Sequence, residues 1–168
     1  MRSWAVFDPP VQHGLHTMKY RRNLGLGEAI ATHMLDFVRS MSWPIEIIIP
    51  VPLGKKRLKE RGYNQVGLVA RPLAYQMGWT YAPQALWKTR ETRSQVGLTA
   101  VQRAKNVQNA YQADAKAVKQ KSVLIMDDVA TTGSTILAGT EALLHAGARE
   151  VYALTIARAL PHHGLDRV

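Results

Sequence analysis

The sequence predicts an α/β fold with a mostly parallel central sheet and helices on both faces. Three observations carry this. Ile47-Ile48-Ile49, Val123 to Met126 and Val151 to Ala157 are runs of mainly apolar residues, as strands buried on both faces require. Segments with apolar residues at helical spacing lie between them, the alternation that builds a parallel sheet. At 168 residues and 46% hydrophobic, the chain can fill one core but not two. Residues 1–168 are therefore expected to form a single domain, in which 1–44 supply an N-terminal segment and a helix packed on a core of 45–168.

The elements follow in chain order. Met1 to Thr17 offers only His13 and His16 as possible zinc ligands, and at that spacing they read as surface loop residues. Gly25-Leu26-Gly27 reads as a turn, because it follows no strand. Leu24 to Met41 carries Ile30, Met34, Phe37, Val38 and Met41 at helical spacing, and Trp43-Pro44 ends that helix. Ile45 to Val51 is a buried strand and Pro52 begins a loop. Asn64 to Met77 is helical, with Pro72 predicting a kink or two shorter pieces before Gly78. Ala85 to Lys88 is a short strand. Arg90 to Val101 lacks periodicity and reads as a loop leading into a helix over Ala104 to Val107. Val123 to Met126, a helix over Ser134 to Ala146 stopped by Gly147, and Val151 to Ala157 complete a right-handed parallel crossover. The four tryptophans read as packing residues and His162-His163 as a surface tail.

Composition narrows the function classes. No stretch reaches the ~18 apolar residues of a membrane span and no secretory pattern opens the chain, so a cytoplasmic location is expected. The absence of cysteine excludes disulfides, thiolate nucleophiles and cysteine-based zinc sites. With 22 Lys+Arg against 12 Asp+Glu, the net charge is +10, which attracts polyanions without specifying which one.

The most informative stretch is VLIMDDVATTGST, Val123 to Thr135. An apolar strand ends in two adjacent carboxylates, then opens onto a small Thr/Gly/Ser loop at a helix start. Backbone N–H groups at such a start favour an anion, a small loop admits phosphate oxygens, and hydroxyls add donors. Asp127 and Asp128, one loop-width away, suit a sugar diol and a hard cation. A helix cap alone needs only one such residue. Neither G-x-x-x-x-G-K-[ST] nor a strand-flanked G-x-G-x-x-G occurs, so P-loop and dinucleotide sites are not supported.

These residues resemble the phosphoribosyl pyrophosphate (PRPP) signature of type I phosphoribosyltransferases. Ile47 to Leu53 followed by Lys55 to Gln65, Met18-Lys19-Tyr20, and Thr155 to Arg158 narrow the resemblance to the ComF family, phosphoribosyltransferase-like proteins linked to competence. It implies a type I phosphoribosyltransferase-like fold. It also implies PRPP as ligand and Mg²⁺ as cofactor. The 5′-phosphate is then expected at Ala130, Thr131, Thr132, Gly133, Ser134 and Thr135. Asp127 and Asp128 would hold the ribose hydroxyls and, mainly through these or water, the metal. The pyrophosphate is expected at Leu53, Gly54, Lys55, Arg61, Asn64 and Gln65, and the resemblance implies catalytic roles for Asp127, Asp128, Arg90 and Arg93, the arginines in the place of a flexible loop that also carries Thr92 and Gln95. Arg103 and Asn106 follow in a family-like Arg-x-x-Asn.

Two features leave the activity open. Purine-salvage relatives place a general-base aspartate in the phosphate loop where Thr131 stands here, which disfavours base salvage but leaves amine acceptors or no acceptor at all. The basic run Lys55, Lys56, Arg57, Lys59 and Arg61 also suits a single-stranded nucleic acid, with Tyr63 as a stacking residue. Expected partners are single-stranded DNA or a DNA-uptake helicase or recombination protein. The alternatives are thus a phosphoribosyltransferase, a non-catalytic PRPP sensor, and a nucleic-acid-binding accessory protein. The family's N-terminal four-cysteine zinc module is not expected.

Overall fold

The computed structural model describes residues 1–21, 23–90, 99–107 and 109–160. Its elements are β1 (Arg2–Val6), α1 (Pro9–Arg21), α2 (Leu24–Ser40), β2 (Ile47–Pro50), α3 (Lys55–Arg61), α4 (Gln65–Met77), β3 (Thr80–Tyr81), β4 (Leu86–Lys88), α5 (Ala100–Val107), β5 (Tyr111–Ala113), α6 (Ala115–Val118), β6 (Ser122–Ala130), α7 (Ser134–His145) and β7 (Glu150–Arg158). Five strands form one sheet in the order β1-β7-β6-β2-β3, every neighbouring pair parallel. β4 and β5 form a separate antiparallel hairpin, pairing Leu86 with Ala113 and Lys88 with Tyr111.

Successive side chains along a strand point to opposite faces, and the core divides accordingly. Ile48, Leu124, Met126, Leu154 and Ile156 pack beneath α1, α2 and α4. Ile47, Ile49, Val123, Ile125 and Ala153 pack beneath α7 and the β4–β5 hairpin. The site-bearing loops leave the same, C-terminal edge of the sheet, where ligands bind in such folds.

Several elements differ from expectation. β1 pairs with β7 and α1 buries Leu15 and Met18, so His13 and His16 are exposed, as expected, but on a helix and not in a loop. Pro9 and Pro10 occupy the first turn, where a missing N–H costs nothing, and Asp8 Oδ1 accepts from Val11 N at 3.2 Å. Gly25 and Gly27 lie inside α2, capped by Asn23, whose Oδ1 accepts from Leu26 N at 2.9 Å. Gly27 is required for packing: a Cβ there would lie 2.7 Å from the Leu68 carbonyl oxygen on α4. α4 runs unbroken through Pro72, held by its buried face of Val66, Val69, Ala70, Leu73 and Ala74. The strand near Ala85 belongs to the hairpin rather than the main sheet. α5 starts at Ala100, earlier than expected, and β6 extends past both aspartates to Ala130.

Candidate functional site

Because β6 continues through Asp127 and Asp128, the two carboxylates follow the strand's alternation. Asp128 continues the face of Leu124 and Met126, beneath α1 and α4. Asp127 continues the face of Val123 and Ile125, beneath α7 and the hairpin. Adjacent in sequence, they occupy different chemical surroundings.

Asp128 is saturated. Its Oδ1 accepts from Val129 N at 2.8 Å, and its Oδ2 accepts from Lys19 Nζ at 2.9 Å and Gln65 Nε2 at 3.2 Å. Burial alone would raise this carboxyl, but the Lys19 charge and these hydrogen bonds outweigh it and hold Asp128 below the ordinary carboxylate range. Gln65 is buried and fixed at its other end, where Arg61 Nη1 donates to Oε1 at 2.9 Å. The Arg61 guanidinium also lies 5.6 Å from the centre of the Tyr20 ring. Tyr63 donates its hydroxyl to the Met18 carbonyl at 2.6 Å, which ties α1 down.

Asp127 is held only by its neighbour. Its Oδ1 accepts from Asp128 N at 2.8 Å. Burial first, then the Asp128 charge, raises its pKa well above the ordinary value. A side-chain hydrogen bond with Asp128 raises it further, so of the two acids Asp127 is the one with no cationic partner among the hydrogen bonds and ion pairs of the described residues.

The loop that follows is built for close approach. Gly133 sits at φ 76° as the cap of α7 and contributes no side-chain hydrogen bond. Thr132 and Ser134 hydroxyls meet at 2.8 Å, and Ser134 N reaches Thr132 Oγ1 at 3.4 Å. Ala130 closes β6, its carbonyl accepting from Ala159 N at 3.0 Å. Thr131 and Thr135 flank the turn.

The residues expected at pyrophosphate separate into two groups. Arg61 and Gln65 join Asp128, as described. Asn64 serves the fold: its Nδ2 donates to the Val51 carbonyl at 2.9 Å and its Oδ1 caps α4. Leu53 and Lys55 instead line a groove of about 790 Å³ together with Leu58, Trp87, Lys88 and Arg90; Gly54 caps α3. The basic run itself is the exposed helix α3, not a loop. This groove includes neither aspartate nor the Thr132–Ser134 turn. Trp87 is 41% exposed there, whereas Trp4, Trp43 and Trp79 pack against the α1–α2–α4 core. Thr92, Arg93, Gln95 and His162-His163 lie outside the described residues, as does the Arg103 side chain.

No group of three His, Asp or Glu able to hold a metal exists among the described residues. A hard cation at Asp127 would therefore need oxygens from a ligand, which suits Mg²⁺ arriving with a phosphate and not a protein-only cage. Lys19 is the site residue whose role the sequence left unassigned, since α1 itself was not foreseen. No helix among the described residues is long and apolar enough to cross a membrane.

Comparisons with known proteins bear on the fold and the family. The sequence model of the phosphoribosyl transferase domain matches residues 67–166. Adenine phosphoribosyltransferase from Thermoanaerobacter pseudethanolicus superposes with a TM-score of 0.52 at 17% identity, over 82% of this chain and 70% of that one. Glutamine PRPP amidotransferase from B. subtilis gives 0.51 at 21% identity, over 84% of this chain and 26% of the longer enzyme. At these identities the likeness establishes the fold, that of the type I phosphoribosyltransferases. The DNA utilization protein YhgH of Salmonella typhi is 33% identical over 163 residues, 94% of this chain and 71% of the relative. Competence protein F of Haemophilus influenzae is 32% identical over 138 residues, 81% of this chain and 57% of that protein. The chain belongs to the ComF family of phosphoribosyltransferase-domain proteins.

Proposed function

We propose that this protein binds PRPP with Mg²⁺ at the C-terminal edge of β6 and serves the use of DNA, as the names of its relatives suggest. The observation that carries the reading is the carboxylate of Asp127, without a cationic partner among the described residues, on the strand that leads into a helix start capped by glycine. The 5′-phosphate would meet the Thr131–Thr135 turn, and the ribose diol would meet Asp127. Mg²⁺, when bound, would offset the charge of the diphosphate. In a transfer reaction the acceptor's lone pair bonds to the anomeric carbon as the C1–O bond breaks and its electrons leave with diphosphate. This chain's part would be to fix the sugar between turn and carboxylate and to meet the departing charge with its cations. No general base is evident at Thr131, so an acceptor that needs little deprotonation, such as an amine, fits best. A cytoplasmic setting accords with these ligands.

Titration calorimetry with PRPP and MgCl₂ tests the reading. Wild type should bind and Asp127→Asn should bind about 100-fold more weakly; absence of binding by wild type would remove both the enzyme and the sensor. Binding without diphosphate release, across a panel of amine and base acceptors, would leave the sensor. A second reading, as a single-strand binder, is favoured by the groove of Trp87, Lys55, Lys88 and Arg90, an aromatic face among cations. Oligonucleotide binding that weakens with salt, survives Asp127→Asn and is lost in Trp87→Ala would support it.

A further inference from the structure

The groove between α3 and β4 is open surface that the Asp127 site does not use. One wall is Leu53 with Lys55 and Leu58, the last two sharing a face of α3 at i, i+3 spacing; the other is Pro83, Leu86 and Trp87. Large apolar side chains face outward on both walls: Leu58 is 45% exposed and Trp87 41%. Apolar surface gathered in a cleft and rimmed by charge marks an interaction site. At about 790 Å³, the cleft is of the size that takes a drug-sized ligand or a few side chains.

Three properties specify its occupant. The rim is cationic: Lys55, Lys88 and Arg90 line the groove, with no carboxylate among its described lining residues, and α3 adds the exposed Lys56, Arg57 and Lys59. Charge complementarity calls for an anionic partner. The floor is leucine and proline, and Trp87 is the one aromatic among the described lining residues. A single-stranded nucleic acid is held by a succession of flat aromatic faces; a leucine-lined cleft with one indole suits an apolar side chain of a peptide better. The groove also runs lengthwise. Five consecutive residues, Leu86 to Arg90, line it, so it follows β4 and its continuation. An extended chain lies along such a track with alternate side chains turned into the floor.

We propose that this groove docks a short acidic peptide of a partner protein, an extended segment that carries a leucine, phenylalanine or similar anchor among its carboxylates. Leu58 and Trp87 hold the anchor, and Lys55, Lys88 and Arg90 meet the charges. The proposal is independent of the PRPP reading, because the groove includes neither aspartate nor the Thr132–Ser134 turn. It assigns to a protein partner the surface on which the single-strand reading depends.

An array of short random-sequence peptides probed with the labelled protein tests this, followed by fluorescence anisotropy on the selected peptides. The array should enrich Asp and Glu around an apolar anchor. Selected peptides should bind Trp87→Ala and Leu58→Asp at least about tenfold more weakly than wild type, with melting temperatures unchanged because both side chains are well exposed. Lys55→Glu, which removes no apolar packing, should weaken the same peptides and keeps the test decisive if an apolar variant melts lower. An array that enriches no sequence, or basic or uncharged ones, overturns the proposal. So do selected peptides that bind all three variants as tightly as wild type. Labelled oligo(dT) that binds in a Trp87-dependent manner and is displaced by no peptide assigns the groove to nucleic acid. A dimer in sedimentation equilibrium that Leu58→Asp dissociates assigns it to a second copy of this chain; either result overturns the peptide.

Discussion

The two faces of the central sheet treat neighbouring aspartates in opposite ways. On the α1–α4 face, Asp128 has every oxygen engaged: Lys19, Gln65 and Val129 N converge on it. On the α7–hairpin face, Asp127 is bonded only to Asp128 and the Tyr111 hydroxyl has no partner among the described residues. The difference teaches a division of labour. One carboxylate fastens the N-terminal helix to the sheet, and the other is left for chemistry. An acid pair in a sequence is therefore not two equal ligands; strand alternation assigns each member its own partners.

The comparison breaks most visibly in ligand binding. Asp127→Asn should lower PRPP·Mg²⁺ affinity by about 100-fold, roughly 2.7 kcal/mol, because the amide keeps the shape and loses the charge. Its unfolding midpoint in urea should stay the same or rise, since a raised carboxyl is a strained one. If the midpoint instead falls, Asp127 is a structural residue and the division fails.

Lys19→Met should do the reverse. It strands Asp128, whose side chain is 13% exposed, with only neutral hydrogen bonds. A cost of about 2–4 kcal/mol is expected for breaking a largely buried pair, before allowance for the 28% exposure of Lys19. Equilibrium urea denaturation at pH 7.5 measures it. Pairing this change with Asp128→Asn should recover part of the loss, because the unpaired charge is then gone.

The pH dependence sharpens the contrast further, because the two shifts have opposite signs. Asp128 is held below its ordinary 3.8, so the stability it contributes is present above pH ~4 and is lost as pH falls through its folded value. Asp127 is raised above 3.8, so the folded state keeps its proton longer and stability declines as pH rises from ~4 through the folded value. Urea midpoints between pH 3 and 8 should show that Asp127→Asn removes the decline with rising pH, whereas Asp128→Asn removes the loss in acid. Matching profiles for the two variants would mean that the acids act as one group.

How much of this was legible in the sequence follows from where each signal lay. The Val123–Thr135 unit could be read directly, because a buried strand, a small loop and a helix start are all local patterns. The separation of the two acids could not, since charge was taken to end the strand at Met126, whereas pairing with β7 carries it on to Ala130. Lys19 and Tyr111 were hidden for another reason. α1 has few apolar residues to set a period, and β5 is only three residues long, so neither announces itself locally. Their positions come from tertiary contacts: Met18 buried against the core, and the pairing of Lys88 with Tyr111. Gly27 misled in the same way, a packing glycine in a pattern that suggests a turn.

Gly133 supplies the smallest test and bears on the open face alone. Its φ of 76° places it in the left-handed region, yet a Cβ there would meet nothing closer than Met1 Cε at 3.7 Å. Space is available, so Gly133→Ala should cost only the backbone strain of about 1 kcal/mol, read as a small drop in urea midpoint. The same methyl would stand at the start of α7, beside the N–H groups expected to receive phosphate. Affinity for ribose 5-phosphate should therefore fall by more than that strain explains, while the Lys19–Asp128 pair on the other face is untouched. A variant with the stability loss but full ribose 5-phosphate affinity would show that the turn's geometry serves the helix cap and not an anion.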